Sequence, residues 1–239
     1  REEIYFSRRT KLVVRNGFMF WGVMAVVIFG LGVAIPVANA QEDRHSFCPD
    51  QFEDESRAGW QQVDKVIEAM GLREGQSVAD IGGGTGYFSR PFARVVGPRG
   101  IVYCCDIAPT LLEYLQLRAK VEELSNIVTV LAARDRPMLP PASVDHIFFC
   151  NTIHHLEDRV EYYKGLLGLL KPGGQLVVVD WKHERQKMGP PLSHTVPEST
   201  VIREMEEAGW VLIRKEKFLQ YQYMLIFQPE NARSGPEKK

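Results

Sequence analysis

Residues 78–89 hold the densest group of side chains and glycines that could serve chemistry. Asp80 is followed at two-residue intervals by Gly82, Gly84 and Gly86, with an apolar run before this turn and a helix-like segment after it. Glycine allows a positive φ and lets a ligand approach the main chain closely. A strand, a glycine-rich turn and a helix N-terminus together predict a nucleotide pocket at the carboxyl edge of a parallel sheet.

A second acid supports a nucleotide ligand. Asp106 ends the next apolar run, residues 101–106, where a carboxylate can accept hydrogen bonds from ribose hydroxyls. A nicotinamide dinucleotide is disfavoured, because its fingerprint requires a glycine where Tyr87 stands, and the chain contains no Tyr-x-x-x-Lys pair. No Gly-Lys-Ser/Thr triplet follows the turn, which argues against a P-loop.

The order of the motifs resembles the class I methyltransferases that use S-adenosylmethionine (SAM). The D-x-G-x-G-x-G turn resembles their first motif. An apolar strand begins at Val144, a His-His-Leu triplet follows it at residues 154–156, and residues 171–180 resemble the Lys-Pro-Gly-Gly signature with its strand. The resemblance covers about residues 57–228. It is strongest to the type 11 subgroup, which includes ubiquinone and menaquinone C-methyltransferases and arsenite methyltransferases.

The resemblance implies SAM as cofactor and assigns residues to it. The glycine turn would pack against the methionine half of SAM, and Asp80 would hold the turn or reach the amino group. Asp106 would bind the ribose hydroxyls, with Ile107 against the adenine, and Asn151 would lie near the methyl donor. The full implied set is Asp80, Gly82, Gly84, Gly86, Asp106, Ile107, Arg134, Asp135 and Asn151, in which Arg134 and Asp135 would contact the adenine edge.

No catalytic residue is fixed by the sequence, and three histidines are candidates. His154 and His155 lie just past the fourth strand, and His183 follows the fifth. One of them can act as a base, because histidine titrates near neutral pH. The alternative for the His-His pair is the structural role that it has in many type 11 sequences.

The predicted fold class is α/β: a doubly wound, mostly parallel seven-stranded sheet, Rossmann-like, with an N-terminal hydrophobic helix. Strands alternating with helices favour this sheet, and near-continuous apolar runs suit strands buried on both faces. Apolar spacing predicts one helix over residues 57–70. A second helix is predicted over 157–170, stopped by Gly173 and Gly174, with a strand at 175–181.

The N-terminal segment predicts a membrane partner. Residues 17–38 are uncharged and mostly apolar, long enough to span ~30 Å of hydrocarbon. Basic residues precede this run, so the positive-inside rule keeps the N-terminus cytoplasmic and sends the catalytic domain to the far side. Ala38 and Ala40 also fit a signal-cleavage pattern, so an uncleaved single-pass anchor and an exported protein with a cleaved signal are both open. The predicted regions are a basic N-terminal region at 1–16, an anchor or signal peptide at 17–40, a linker or cap at 41–56, a methyltransferase domain at 57–228 and a flexible tail at 229–239.

Composition argues against other partners. The formal net charge of −1 gives no electrostatic case for nucleic-acid binding. Four cysteines do not make a disulfide framework. A metalloid site of three thiols is disfavoured, because Cys104 and Cys105 point to opposite faces of one strand and the family's strand order separates them from Cys150. No metal is expected.

Two functions from different classes follow. The first is a membrane-associated, SAM-dependent methyltransferase acting on a small-molecule or lipidic acceptor. The second is a non-catalytic SAM-binding or scaffold protein with the same fold, because no certain catalytic base is present. The sequence specifies neither the acceptor nor the oligomeric state.

Overall fold

The computed structural model describes residues 52–54 and 56–232. The predicted regions at 1–16 and 17–40, nearly all of the linker or cap at 41–56 and the tail beyond 232 lie outside the described residues. Among the described residues, no helix combines the length and the hydropathy that a membrane span requires.

Seven strands form one sheet. They are β1 (Ser77–Ile81), β2 (Ile101–Asp106), β3 (Ile127–Leu131), β4 (Val144–Cys150), β5 (Leu170–Trp181), β6 (Trp210–Glu216) and β7 (Gln222–Pro229). Within residues 52–54 and 56–232, six α-helices accompany them: α1 (Arg57–Gln61), α2 (Val63–Met70), α3 (Ser89–Val96), α4 (Pro109–Val121), α5 (Arg159–Leu166) and α6 (Glu198–Glu207).

The strand order is β3-β2-β1-β4-β5-β7-β6. The first five strands in this order pair in parallel, and β7 pairs antiparallel with both β5 and β6. This confirms the predicted doubly wound, mostly parallel sheet of seven strands. The order reverses between β1 and β4, and an open α/β sheet binds ligands at the carboxyl ends of the strands beside such a reversal.

Two apolar layers cover the sheet because successive strand residues point to opposite faces. Ile147 and Phe149 of β4 pack in one layer with residues of α5 and α6. Phe148, between them, packs in the other layer with residues of α2 and α3. Both layers hold the sheet rigid, so that the loops at its carboxyl edge have fixed starting points.

Two predicted elements were wrong. The single helix over 57–70 is broken at Gln62, whose backbone is left-handed (φ 46°), and its side chain donates a hydrogen bond to the Phe218 carbonyl. Gly173 and Gly174 do not stop a helix, because β5 already begins at Leu170, where it pairs with Val144 of β4, and the register shift that follows keeps the glycines within the strand.

Candidate functional site

The glycine turn after β1 is shaped by close contacts. Gly82 has φ +70°, and its N–H donates to the carbonyl of Cys105 at 2.7 Å. A Cβ on Gly82 would lie 2.3 Å from the Thr152 side chain, so no larger residue fits without moving the segment after β4. The turn is therefore pinned between the ends of β2 and β4.

Asp106 holds the same turn from the end of β2. Its Oδ2 accepts the N–H of Gly84 at 2.9 Å and its Oδ1 accepts the N–H of Ala108 at 2.9 Å. Burial raises the pKa of this carboxyl, although these main-chain donors oppose the shift. Ile107, the next residue, is 48% exposed and offers an apolar surface beside the carboxylate.

Asp80 lies beneath the turn and is 2% exposed. The Ser89 hydroxyl donates to its Oδ2 at 2.6 Å. Burial raises the pKa of Asp80 to about 7, and the charge of Asp106 adds to the rise while the Ser89 hydrogen bond opposes it. The carboxyl group is therefore only partly ionised near neutral pH.

Helix α1 brings side chains that sequence reasoning did not assign. The guanidinium carbon of Arg57 lies 3.8 Å from the centroid of the Tyr87 ring, and its Nε–H donates to Gln61 Oε1 at 2.8 Å. Gln61 Nε2 in turn donates to the Cys150 Sγ at 2.9 Å. Arg57 therefore sets a positive charge near the glycine turn, and no local motif reveals this because Tyr87 is distant from Arg57 in the sequence.

Asn151 follows β4 in a left-handed conformation, φ 55°, which asparagine tolerates. Its Oδ1 accepts a hydrogen bond from Gln222 Nε2 at 2.6 Å, and its N–H bonds the Val179 carbonyl at 2.9 Å. Gln222, at the start of β7, is a site residue that sequence reasoning missed, since 71 positions separate it from Asn151.

Two of the three candidate histidines lie together. His154 Nδ1 is 2.9 Å from Oδ1 of Asp180, a fully buried carboxylate on β5. The ring centroids of His154 and His155 are 4.1 Å apart, and burial, aided by the neighbouring His154, lowers the pKa of His155. His183 is exposed, and its Nδ1 lies 2.7 Å from Thr195 Oγ1. Asp180 was missed, although it ends the apolar run of β5.

Arg134 and Asp135 lie in an exposed turn after β3. The Asp135 carboxylate is 3.5 Å from the guanidinium of Arg136. Their contact with an adenine edge stays a prediction.

The thiols occupy separate positions, as the strand order predicted. Cys104 and Cys105 lie on β2 and Cys150 on β4, with β1 between the two strands. Burial raises the pKa of Cys104 well above its ordinary value and that of Cys150 to about 12, so these thiols stay protonated at neutral pH. In the part of the chain that the structure describes, no three His, Cys, Asp or Glu side chains are grouped to hold a metal ion.

The residues around the turn fit SAM as a ligand. Gly84 has φ +54°, and a Cβ there would be in ordinary van der Waals contact with Leu111 at 3.7 Å and with Asp106 at 4.0 Å. Six buried side-chain polar atoms have no hydrogen-bond partner among the described residues, and three of them lie in the turn, on α1 and on β7: Thr85 Oγ1, Trp60 Nε1 and Gln222 Oε1. Buried polar atoms normally find partners. A polar ligand spanning from the turn toward β7 would supply some of them.

The fold and the site resemble those of class I methyltransferases, and the comparisons support SAM as the cofactor. Residues 79–178 match the family model described as a methyltransferase domain. A SAM-dependent methyltransferase from Aquifex aeolicus has a similar structure, with a TM-score of 0.72, 28% identity, and coverage of 76% of this chain and 98% of that one.

A curated relative is the ubiquinone/menaquinone biosynthesis C-methyltransferase UbiE of Ectopseudomonas mendocina. It is 29% identical over 175 residues, which is 73% of this chain and 64% of that protein. The chain spans about half to two thirds of the length of the first curated relatives it matches. The cyclase SpnF shares the fold, with a TM-score of 0.60, 15% identity, and coverage of 71% of this chain and 80% of that one.

Proposed function

We propose that the protein transfers a methyl group from SAM to a small-molecule or lipidic acceptor. The observation that carries the proposal is the glycine turn after β1, whose Gly84 N–H is hydrogen-bonded to the Asp106 carboxylate at the end of β2. A bound SAM would supply an already activated methyl group, so the protein's task is to orient the acceptor and exclude water.

Each end of SAM has a matching group on the protein. Asp106 would accept hydrogen bonds from the ribose hydroxyls, and Ile107 would pack against a flat ring. Asp80 would bind the amino group of the methionine part. Arg57 adds a cation for its carboxylate, with Gln61 and Tyr87 fixing the guanidinium. The acceptor would approach Asn151, just after β4, and Gln222, at the start of β7.

A quinol or related phenolic acceptor is the first class to test. The relatives named as ubiquinone/menaquinone biosynthesis C-methyltransferases support a quinol-like ring as the acceptor, although their name places the new methyl group on carbon. The aromatic side chains at the edge also support it, since the ring centroids of Trp60 and Trp181 are 5.1 Å apart and Tyr221 lies 6.3 Å from Trp60. Such rings suit a flat acceptor.

Two measurements separate methyl transfer from the scaffold alternative. Calorimetry with SAM and with its demethylated product should show saturable binding of both. Turnover of methyl-labelled SAM with a panel of hydroquinones and catechols should then release the demethylated product in proportion to a labelled acceptor. Binding without turnover over this panel and a lysate extract would favour the scaffold.

We further propose that residues 17–38 place the protein at a membrane, as an uncleaved anchor or as an export signal, with the domain on the far side. The uncharged run and the basic residues before it support this. A topology reporter fused after residue 230 tests the orientation, and a cytosolic signal would contradict it.

A further inference from the structure

His154 and Asp180 form a pair that SAM binding does not require. Asp180 Oδ1 and Oδ2 lie 2.9 and 3.2 Å from His154 Nδ1, and Oδ1 also accepts the Trp181 N–H at 2.7 Å. A fully buried carboxylate is costly unless it is paired and hydrogen-bonded. The contacts with His154 and the Trp181 N–H therefore offset the cost of burying Asp180.

The pairing decides which ring nitrogen of His154 carries the proton. An ionised carboxylate only accepts hydrogen bonds, so the neutral imidazole must hold its proton on Nδ1. Nε2 then carries a lone pair. No other side chain or main-chain group among the described residues is hydrogen-bonded to Nε2. A base that is oriented by a carboxylate through its other nitrogen is a recurring catalytic arrangement.

The backbone holds this histidine next to the glycine turn. Thr152, two residues earlier, packs against Gly82 and donates to the Cys150 carbonyl at 3.0 Å. Ile153 is fully buried in the core and fixes the short 3-10 helix that carries His154. The segment that carries the His154 imidazole therefore also contacts the glycine turn.

The neighbouring groups leave the pair intact. Beside His154 stands His155, whose pKa burial lowers, with His194 adding a smaller effect. On the Asp180 side, burial raises the pKa of the hydroxyls of Tyr163 and Tyr223, which keeps them neutral. The nearby cation Arg159 is bonded to Glu204 at 2.7 and 2.8 Å rather than to Asp180.

We propose that His154 Nε2 is the catalytic base that removes a proton from a phenolic hydroxyl of the acceptor, with Asp180 as its positioning residue. This rests on the proposed methyl transfer and narrows the acceptor to one whose attacking atom must lose a proton. The O–H bond breaks and its electron pair stays on oxygen, which forms the bond to the methyl group from SAM. The sulfonium becomes a neutral sulfide, and the imidazolium later releases its proton to water.

The tautomer gives a test that needs no acceptor. In the full chain with isotope-labelled histidine, nitrogen NMR should show neutral His154 protonated on Nδ1 and unprotonated on Nε2. Asp180→Asn should shift His154 toward the opposite tautomer. A wild-type His154 protonated on Nε2 would overturn the proposal.

Kinetics give the second test, with catechol and SAM as probes. His154→Gln should lower kcat/KM by about 100-fold or more and remove the rise of log(kcat/KM) with pH that reports a histidine base. Asp180→Asn should lower kcat/KM by about 100-fold through the wrong tautomer. His194→Gln, the same change at an exposed histidine, should stay within about threefold and keep the pH profile.

Calorimetry with the demethylated product separates the two proposals. His154→Gln should bind it within about twofold of wild type, because the base does not hold the cofactor. Absent binding by the wild type would defeat the proposed function itself. Intact binding with unchanged catechol turnover in His154→Gln would defeat only the base. If the wild type does not methylate catechol, the NMR tautomer decides for or against His154.

Discussion

The carboxyl edge of the sheet has two halves that are built differently. At the ends of β1 and β2, the carboxylate of Asp106 bonds main-chain groups of Gly84 and Ala108, at separations of 22 and 2 residues. Where β4 and β5 end and β7 begins, side chains form hydrogen bonds with other side chains. His154 meets Asp180 across 26 residues and Gln61 meets Cys150 across 89.

The difference indicates a division of labour. Main-chain groups present the same shape whatever the side chains are, which suits a cofactor common to a large family. Paired side chains can change with the acceptor, since each pair sets its own charge and proton position. The first half should therefore govern SAM affinity, and the second should govern turnover.

The largest expected effect on affinity is at Asp106. Asp106→Ala removes the carboxylate from the ribose site and frees the Gly84 N–H, so we expect SAM affinity to fall about 30-fold, or ~2 kcal/mol. Calorimetry measures this. Asp64→Ala, at an exposed acid on α2, is the matched control and should leave affinity within about twofold. If Asp106→Ala and Asp64→Ala changed SAM affinity equally, the assignment of SAM binding to the ends of β1 and β2 would be wrong.

Arg57 should matter for only one end of the cofactor. Arg57→Met removes the cation above Tyr87, so SAM affinity should fall about tenfold. Methylthioadenosine lacks the amino-acid part, and its affinity should stay within about twofold. A parallel loss for both ligands would mean that Arg57 holds α1 in place rather than the carboxylate.

Asp80 predicts a pH dependence of binding. Its pKa of about 7 in the free protein means that a cationic ligand group must displace a proton. SAM affinity should therefore be about tenfold lower at pH 6 than at pH 8, with proton release visible as a buffer-dependent binding enthalpy. Asp80→Asn should flatten this profile. If the SAM affinity of Asp80→Asn depended on pH as steeply as that of the wild type, the proton would be released by another group.

The same carboxyl affects folding with a defined sign. The unfolded chain releases this proton near 3.8 and the folded chain near 7, so the folded state holds more protons between these values. The free energy of unfolding should thus fall as the pH rises from about 4 to about 7, and Asp80→Asn should lessen that fall. Urea unfolding at several pH values checks it, and an identical slope in the variant would contradict it.

The smallest expected effect lies in the second half. Gln222→Met removes the hydrogen bond to Asn151, so acceptor turnover should drop a few-fold through looser positioning while SAM affinity stays unchanged. Turnover of methyl-labelled SAM and calorimetry together test the separation of the halves. If Gln222→Met lost as much SAM affinity as Asp106→Ala, the two halves of the edge would not have separate roles.

The sequence predicted the first half well because its information is local. The bounds of β2 were correct and β1 lies where the apolar run before the glycine turn predicted a strand, since each is a short apolar run that ends at or beside an acid or a glycine turn. The expected positions of Asp80 and Asp106 at the end of their strands were also confirmed. A motif that binds a ligand through the backbone consists of consecutive residues, so it can be recognised without knowledge of distant contacts.

The rest could not be predicted because it depends on contacts between distant segments. Gln62 takes a left-handed conformation and bonds Phe218, 156 residues away, so helical spacing could not show the break. From the local sequence alone, Gly173 and Gly174 are expected to end a helix. Pairing of β5 with β4 instead keeps both glycines in a strand. The partners of His154 and Asn151 lie on strands that sequence reasoning placed only approximately.

The reversed direction of β7 has a consequence for synthesis. Because β7 runs against its neighbour β5, its first residue, Gln222, arrives at the same edge as Arg57, which is made far earlier. A ribosome must therefore translate nearly the whole described domain before both residues exist. Partial chains can collapse as translation proceeds, but they cannot yet assemble both halves of the edge, so catalytic competence would mark a finished domain.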